Sequence, residues 1–286
     1  MIVHLNGQLV SANDAQISVF DRGFLFGDGI YEGLRATRGH IISLDRHIRR
    51  MRAGLDETRI TGFEPESLGK LSVDLLAANN LDSAFLYWQV TRGTPEDGHA
   101  RPRIPTPGTQ PTVLGFATSM PSLDECTEPE VRSAVVLPDV RWHLGHIKSI
   151  SLLGNVLSAI EADEAGAQDA ILHRNGVVTE ATATNVIAVI DGVIITPALQ
   201  SASFLHGVTR NVLLESDPSI REEVLSVDQL SRADEIILVG TRTLVGSVIA
   251  LDGKQVGAGV PGPQARRLLS LLRQRVAAQA QEAAHV

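Results

Sequence analysis

Three Asn-Gly or Asp-Gly dipeptides separate β-rich runs in the second half of the chain, at positions 175–176, 191–192 and 252–253. Both dipeptides readily adopt the positive backbone φ angles of a two-residue type I′ turn, so each one predicts a β-hairpin. The chain has 286 residues, which is enough for two domains of ordinary size. We therefore expect an α+β protein whose second domain is rich in hairpin sheet.

Hydrophobic periodicity and breaking residues divide the chain into two domains. We predict a small N-terminal domain over residues 1–118, a polar linker with two prolines over 119–130, and a larger domain over 131–286. The predicted strands cover residues 30–37, 85–92, 112–118, 131–137 and 235–239. Helices are predicted over 45–55, from Pro65, over 149–165, after Gly207 and after residues 261–263.

Charge and composition exclude several classes of protein. The formal net charge is −8, whereas nucleic-acid surfaces and anionic membranes attract positive charge. No apolar run approaches the length of about 18 residues that a membrane span needs, and no secretory signal is predicted. One cysteine, Cys126, excludes an internal disulfide, and nine histidines lack metal-ligand spacing. We expect a cytoplasmic protein without a metal site, a nucleic-acid partner or a membrane partner.

Lys148 is the only lysine between Lys70 and Lys254, and it lies between a predicted strand and an apolar helix. The flanking residues Ile147 and Ile150 would reduce its hydration, which makes the neutral amine more accessible. A neutral amine is the nucleophile that Schiff-base chemistry requires. A surface lysine at a helix start gives the same pattern, so spacing alone leaves both interpretations open.

A pyridoxal phosphate site also needs a carboxylate for the pyridine nitrogen and donors for the phosphate. Glu180 precedes an apolar strand, where an acid is expected to be paired. Residues 207–210 and 240–243 each combine glycine with threonine, and the first pair precedes a helix. Arg50 flanks the apolar stripe of the 45–55 helix and could bind a phosphate. An exposed strand-end acid would equally explain Glu180, and an ordinary helix cap would explain the glycine–threonine pairs. A solvated basic face explains Arg46 and Arg49 of the 45–55 helix.

Several motifs in family order resemble the class IV, or fold type IV, pyridoxal phosphate aminotransferases. They cover nearly the whole chain, at residues 21–33, 87–94, 141–155, 170–180, 207–210 and 249–254. The resemblance implies a two-domain α+β fold of the D-amino acid aminotransferase type. Within the family, residues 141–185 are most similar to the D-amino acid aminotransferases.

The resemblance also implies roles for individual residues. Lys148 would form the Schiff base with the cofactor and then move a proton, and Glu180 would bind the pyridine nitrogen. Leu205 would support the cofactor ring. The implied phosphate-binding residues are Arg50, Val208, Thr209 and Thr241. The family forms dimers, so a homodimer is expected.

Substrate recognition departs from the D-amino acid enzymes, which hold the α-carboxylate with a tyrosine, an arginine and a histidine. Tyr31 and His99 match, but Asp97 stands in the place of the arginine and would repel a carboxylate. Our hypothesis is that Arg35 or Arg242 replaces it, helped by Arg101 or Arg103. Pairing of Arg35 with Glu32 or another local acid is the alternative. The predicted substrate-binding residues are Tyr31, Gly33, Arg35, Tyr87, His99 and Arg242.

The leading interpretation is a transaminase that moves an amino group from a D-amino acid such as D-alanine to 2-oxoglutarate or pyruvate. The altered carboxylate contacts leave room for (R)-primary amines as donors. Gly33 and Arg35 resemble the L-branched-chain aminotransferases, which are one alternative. An aminodeoxychorismate lyase-like enzyme and a non-catalytic binding protein of the same fold are the others.

Overall fold

The computed structural model describes residues 1–96 and 102–284, with side chains described through residue 279 of the last helix. The chain divides into two compact units. Unit 1 contains Met1–Ser122 and Ile147–Ser151, and unit 2 contains Leu123–His146 and Leu152–Val286. Unit 1 therefore ends within the stretch we predicted as a linker. The Ile147–Ser151 segment, which we expected in the second domain, is part of unit 1.

Unit 1 is built on a six-stranded antiparallel sheet. Its strands are β1 (Ile2–Leu5), β2 (Gln8–Ser11), β3 (Gly29–Thr37), β4 (His40–Ile41), β5 (Ala84–Thr91) and β6 (Thr112–Ser119). They lie in the order β2-β1-β6-β5-β3-β4. The predicted strands in this part of the chain are confirmed to within one residue at each end. The β-branched and aromatic residues of these runs suit a pleated surface.

Among its described residues, unit 1 has three helices, two of which pack against the apolar face of this sheet. They are α1 (Arg22–Phe26), α2 (Leu44–Thr58) and α3 (Leu68–Ala78), and α3 follows a 3-10 turn at Pro65–Ser67. The apolar stripe of α2 places Met51 and Leu55 in the core, as its periodicity predicts. Leu75 of α3 and Trp88 of β5 are fully buried in the same core. The sheet is thus held against α2 and α3 by one continuous apolar cluster.

Unit 2 contains a nine-stranded mixed sheet. Its strands are β7 (Glu130–Pro138), β8 (Asp169–Arg174), β9 (Val177–Ala181), β10 (Asn185–Ile190), β11 (Val193–Pro197), β12 (Ile220–Glu223), β13 (Glu235–Gly240), β14 (Leu244–Leu251) and β15 (Lys254–Gln255). The order is β12-β11-β10-β13-β14-β7-β8-β9, and β15 pairs with β14. Its helices are α4 (Leu153–Glu164), α5 (Val208–Ser216), α6 (Val227–Leu230) and α7 (Pro263–Ala284).

The three dipeptide turns form as the sequence predicts. Asn175-Gly176 joins β8 to β9, Asp191-Gly192 joins β10 to β11, and Asp252-Gly253 joins β14 to β15. The first residue of each turn has φ near 50° and each glycine has φ between 72° and 81°. Positive φ at both central positions defines the type I′ turn, whose twist matches that of the flanking strands. The hairpin-rich second domain is confirmed.

The helix predicted over 149–165 begins later, at Leu153. Its expected first residues instead run beside β3, where Ser149 forms an isolated bridge with Ile30. The Ile150 N–H donates to the Gly29 carbonyl at 3.1 Å. Sheet-type hydrogen bonds therefore occupy backbone groups that a helix would have used. Ile147, just before this segment, is buried in the core of unit 1.

Helix α4 turns its small residues, not its large apolar ones, toward the interior. Ser158 and Ala162 are its buried residues. Its large apolar side chains are 46–71% exposed, namely Leu153, Val156, Leu157 and Ile160. An exposed apolar stripe of this kind commonly marks an interaction surface. No helix among the described residues is long and apolar enough to cross a membrane.

Candidate active site

Lys148 lies in unit 1, on the segment beside β3. Its carbonyl accepts a hydrogen bond from the Tyr31 N–H at 2.9 Å. The side chain is half-buried, and its Nζ lies 4.2 Å from the centroid of the Tyr31 ring. The face of an aromatic ring attracts a cationic amine. Backbone pairing and the Tyr31 ring together therefore set the position of the predicted nucleophile.

The face of β3 that carries Tyr31 continues as an aromatic surface. The Tyr31 and Tyr87 rings stack at 5.4 Å, and Tyr87 stacks on Phe116 at 4.9 Å. Gly33 lies opposite Tyr87 in the sheet, and a Cβ added to Gly33 would come within 2.8 Å of the Phe85 ring. The predicted residues Tyr31, Gly33 and Tyr87 therefore share one surface. Its shape depends on the missing side chain of Gly33.

Tyr87 keeps its proton on this surface. Burial raises the pKa of the Tyr87 hydroxyl, and the neighbouring Tyr31 raises it further. The protonated hydroxyl donates to Gln89 Oε1 at 2.8 Å. Tyr87 therefore presents a ring and a neutral hydroxyl, which suits substrate contact rather than proton abstraction.

Arg50 is held by a buried carboxylate of β3. Its Nε donates to Glu32 Oε1 at 2.7 Å and its Nη2 donates to Oε2 at 2.8 Å. His47 Nδ1 lies 2.8 Å from the same Oε2. The Arg50 guanidinium is thereby oriented by a forked ion pair, the strong form of this interaction. Glu32 is paired with α2 residues, not with Arg35 as the alternative interpretation supposed.

The ionisation of this cluster follows from its surroundings. Burial alone would raise the pKa of Glu32, but Arg50 and His47 outweigh it and lower that pKa to about 2. Burial also lowers the pKa of His47, against the opposing effect of Glu32, and the charges of Arg50 and Lys148 lower it further. At neutral pH the cluster therefore contains an ionised Glu32, a cationic Arg50 and a neutral His47.

The two arginines proposed for the substrate carboxylate lie in different settings. Arg35 is only 2% exposed, and its Nη2 donates to the Pro121 carbonyl at 2.7 Å. Arg242 is exposed in the turn between β13 and β14. Arg35 therefore binds the backbone that follows β6. Arg242, in contrast, lies at the surface of unit 2.

Other predicted substrate contacts lie on the loop between β5 and β6. His99, Asp97 and Arg101 lie outside the described residues. Arg103 is described, and its guanidinium lies 5.2 Å from the centroid of the Phe26 ring. The Arg103 carbonyl accepts a hydrogen bond from Arg22 Nη2 at 3.2 Å. The contacts of Arg103 are therefore with the region of α1.

Glu180 lies in unit 2, on β9, and is 5% exposed. Its Oε1 accepts hydrogen bonds from Arg141 Nη1 at 2.6 Å and from the Leu205 N–H at 3.2 Å. Asn185 Nδ2 donates to Oε2 at 3.2 Å. The expectation that an acid at this position must be paired is confirmed. Leu205, the predicted ring support, is tied to the same carboxylate.

Arg141 connects Glu180 to a second acid. Its Nε donates to Asp139 Oδ1 and its Nη2 donates to Oδ2, both at 2.9 Å. Burial alone would lower the pKa of Arg141, but Asp139 and Glu180 outweigh burial and raise it. Burial opposes ionisation of Asp139, yet Arg141 and Arg174 hold its pKa below the usual value. The arginine thus remains charged and favours the ionised form of Glu180.

The start of α5 offers backbone donors. Gly207 is its N-cap, and no side chain caps the helix. Val208 and Thr209 are buried in the first turn, where N–H groups have no partner within the helix. Thr241 is half-buried just after β13. The phosphate-binding residues predicted in unit 2 therefore occupy a helix start, which suits anion binding, and the turn after a strand.

These groups fit the chemistry of pyridoxal phosphate. Lys148 supplies a primary amine, and Glu180 supplies a carboxylate that is ion-paired with Arg141. An uncapped helix start favours an anion through its N–H groups and its dipole. Each of these three features answers to a different part of the cofactor, namely its aldehyde, its pyridine nitrogen and its phosphate.

Sequence reasoning missed several residues that organise the site. Arg141 and Asn185 bind Glu180 directly, and Asp139 orients Arg141. Asp139 and Arg141 are two residues apart directly after a strand, a spacing that suits a local ion pair. Glu32 stands between the apolar residues Ile30 and Leu34 on one buried face of β3, and an acid on that face was the available signal for its pairing.

Comparison with known proteins agrees with this set of groups. The amino-transferase class IV family matches residues 29–251. D-alanine aminotransferase of Staphylococcus haemolyticus is 37% identical, over 93% of this chain and 94% of that protein. The Escherichia coli branched-chain amino acid aminotransferase structure has a TM-score of 0.84 at 26% identity and covers 93% of this chain and 91% of that one.

A hypothetical aminotransferase from Mycobacterium tuberculosis, in its PLP-bound form, shares the fold. It has a TM-score of 0.81 at 20% identity, over 98% of this chain and 100% of that one. The family match begins with β3 and ends with β14, so it includes Lys148 and Glu180. The amine, the carboxylate and the helix start thus occur within a match that covers most of the sequence, and the chain belongs to the class IV aminotransferases, which depend on pyridoxal phosphate.

Proposed function

We propose that this transaminase takes the amino group of a D-amino acid such as D-alanine and transfers it to a 2-oxo acid, either 2-oxoglutarate or pyruvate. The observation that carries the proposal is the 37% identity to D-alanine aminotransferase over nearly the full length of both chains. Lys148 and Glu180 are the two groups on which the chemistry depends.

Pyridoxal phosphate supplies an electron sink, because its protonated ring accepts the electrons released when a bond at the substrate Cα breaks. Lys148 is the covalent attachment point and the base that moves the Cα proton. Glu180 accepts a hydrogen bond from the pyridine nitrogen and keeps that nitrogen protonated. Arg141 supports this arrangement through its ion pair with the Glu180 carboxylate.

Phosphate binding falls to Arg50, to the N–H groups of Val208 and Thr209, and to the hydroxyls of Thr209 and Thr241. Glu32 orients the Arg50 guanidinium through both carboxylate oxygens. Leu205 supports the ring, and its N–H also holds the Glu180 carboxylate.

Tyr31, Gly33 and Tyr87 form the substrate-contacting surface of unit 1. For the α-carboxylate we propose Arg242, because Arg35 is buried and donates to the Pro121 carbonyl. Loss of the Arg242 charge in Arg242→Ala should raise the KM for D-alanine, and Arg35→Ala is the comparison variant. If both variants leave this KM unchanged, neither arginine binds the carboxylate.

An L-branched-chain aminotransferase is the second candidate. The observation that favours it is the likeness to the Escherichia coli branched-chain enzyme, at 26% identity and a TM-score of 0.84. Gly33, the residue type that the branched-chain enzymes carry on this strand face, lets the Phe85 ring pack within 2.8 Å of where a Cβ would lie. (R)-primary amines remain candidate donors for the D-specific enzyme.

The donor experiment separates these candidates. The yellow holoenzyme is mixed with D-alanine or with L-leucine alone, and its absorbance is followed as the cofactor changes to the amino form. D-alanine should produce the change and L-leucine should not. The reverse result would support the branched-chain enzyme, and no change with either would favour an amine donor or a lyase-like activity.

The attachment point is tested separately. Borohydride reduction followed by peptide mass mapping should place the cofactor on Lys148, and Lys148→Ala should lose both the label and transamination. A label on another side chain would contradict the proposed role of Lys148.

We also propose that the protein is a homodimer, as the family resemblance implies. The exposed apolar stripe of α4 supports this, because a second copy of the chain would cover side chains such as Leu153 and Leu157. Light scattering of the purified protein should give twice the monomer mass of 30.7 kDa.

A further inference from the structure

Asn185 occupies the first position of β10, five residues after Glu180, and is buried. Its Nδ2 donates to Glu180 Oε2 at 3.2 Å and to the Leu205 carbonyl at 2.9 Å. One amide group therefore binds both the carboxylate and the backbone of the turn before α5. The Leu205 N–H completes the connection by donating to Oε1 of the same Glu180.

The amide oxygen of Asn185 lies on the other side, against Gly207. A Cβ added to Gly207 would lie 1.8 Å from Asn185 Oδ1, so only glycine permits this approach. Gly207 is the N-cap of α5, and it directly precedes Val208 and Thr209. Asn185 thus contacts the Glu180 carboxylate on one side and the start of α5 on the other.

We propose that Asn185 is a positioning residue that holds the Glu180 carboxylate and the Leu205–Gly207 turn in one fixed geometry. This rests on the proposed function, in which Glu180 binds the pyridine nitrogen and the α5 start binds the phosphate. A rigid cofactor spans both groups, so their spacing must be held constant for both to bind well. Without the amide, Glu180 Oε2 and the Leu205 carbonyl each lose a hydrogen-bond donor.

The test compares wild type with Asn185→Ala and Asn155→Ala in the full-length chain. Asn155 is the matched control, because its Nδ2 also donates to a backbone carbonyl, that of Thr182 at 2.7 Å. Pyridoxal phosphate is titrated into each apoprotein, and the pyridine ¹⁵N resonance is recorded with labelled cofactor. Urea unfolding of the apoproteins measures the purely structural cost of each change.

Asn185→Ala should weaken cofactor binding about 10-fold or more, since it removes a hydrogen bond to a charged group. It should also shift the pyridine ¹⁵N resonance, because the ring nitrogen then faces a carboxylate in a different position. Asn155→Ala should change neither quantity. A merely structural role for Asn185 would lower apoprotein stability and leave the ¹⁵N resonance where it is in wild type.

Asn185→Asp gives a second variant of nearly the same shape in case the alanine variant fails to fold. It removes the donor and places a second acid beside Glu180, so cofactor binding should again weaken and the ¹⁵N resonance should again move. Unchanged affinity and an unchanged resonance in either folded variant would overturn the inference.

The wild-type titration distinguishes this failure from failure of the proposed function. If wild type binds the cofactor on Lys148 and the Asn185 variants behave like wild type, only the role of Asn185 is wrong. If wild type itself cannot be labelled on Lys148, the proposed function is wrong and the role of Asn185 falls with it.

Discussion

Glu32 in unit 1 and Glu180 in unit 2 are both buried strand carboxylates paired with an arginine, but the two are held differently. In unit 1, Arg50 binds both oxygens of Glu32 at 2.7 and 2.8 Å, and His47 lies 2.8 Å from one of them. In unit 2, Arg141 binds one oxygen of Glu180 at 2.6 Å, while Leu205 and Asn185 donate at 3.2 Å.

The difference indicates that Glu32 has a structural role and that Glu180 has a chemical one. Three short contacts to two ionisable side chains tie Glu32 to α2, so its loss should mainly affect folding and the orientation of Arg50. Glu180 is held by one strong ion pair and two longer hydrogen bonds from neutral groups. Only one nitrogen of Arg141 contacts Glu180, and it contacts a single carboxylate oxygen. This arrangement suits a carboxylate that is proposed to bind a cofactor nitrogen.

The largest expected effect is on stability, in Glu32→Gln. Removing one partner of a buried ion pair leaves the other charge uncompensated, so the free energy of unfolding should fall by about 3 kcal/mol or more. Urea unfolding of the apoprotein measures this loss.

The double variant Glu32→Gln/Arg50→Met is the matched control for this change. It removes both charges and should recover part of the lost stability. If Glu32→Gln unfolds at the wild-type urea concentration, the cluster contributes nothing to stability and the comparison with Glu180 fails.

The next effect is on catalysis, in Glu180→Gln. An amide cannot hold the pyridine nitrogen protonated as a carboxylate does, so kcat/KM for D-alanine should fall about 100-fold. The loss of apoprotein stability should be smaller than in Glu32→Gln, because Arg141 keeps Asp139 as a partner. Steady-state kinetics and urea unfolding measure the two quantities on the same samples.

Glu130→Gln is the control for the Glu180 variant, since it removes a more exposed ion pair with Arg132 in the same unit. Its kinetics should match those of wild type. A Glu180→Gln enzyme with wild-type kcat/KM would show that the carboxylate has no chemical task.

The smallest effect is the response of unit 1 to acid. Burial lowers the pKa of His4 below 6.5, against a smaller raising effect from the Val113 backbone. The folded state therefore binds fewer protons than the unfolded state, and the stability from neutral His4 is lost as pH falls below about 6.5. The pKa of Glu32 is about 2 in the folded state against an ordinary value of 4.5, so Glu32 adds a further loss of stability below about pH 4.5.

Trp88 reports this loss because it is fully buried in unit 1 and lies 5.2 Å from the His4 ring. In a Trp142→Phe background, Trp88 is the only tryptophan. Its fluorescence should shift to the red on acidification, and His4→Phe should move the midpoint to lower pH. An identical midpoint in both proteins would exclude His4 as a source of acid sensitivity.

Local chemistry predicted much of the fold, because turns and amphipathic stripes depend on neighbours in the chain. The Asn175-Gly176 turn and the burial of Met51 follow from such rules. The start of α4 did not, since the backbone of residues 149–150 pairs with a strand about 120 residues earlier. Apolar periodicity likewise cannot tell that α4 turns Ser158 inward and Leu157 outward.

The pairing of a candidate site residue was predictable where its type is unusual for its surroundings. Glu180 before an apolar strand required a partner, and the structure supplies Arg141. The burial of Arg35 and the pairing of Arg50 with Glu32 depend on tertiary contacts that spacing does not encode. Asn185 carried no sequence signal, because an asparagine at a strand start is ordinary until its amide is seen to bridge two groups.

The pairing of the Lys148 backbone with Tyr31 has a mechanical consequence. A residue whose main chain is pinned to a sheet cannot be carried by a moving loop, so any travel of its amine must come from rotation about its own methylene bonds. The distance that the Lys148 amine can reach is therefore set by the length of its own side chain. A side chain one carbon shorter would hold the amine farther from its target, because the backbone that carries it has little freedom to move closer.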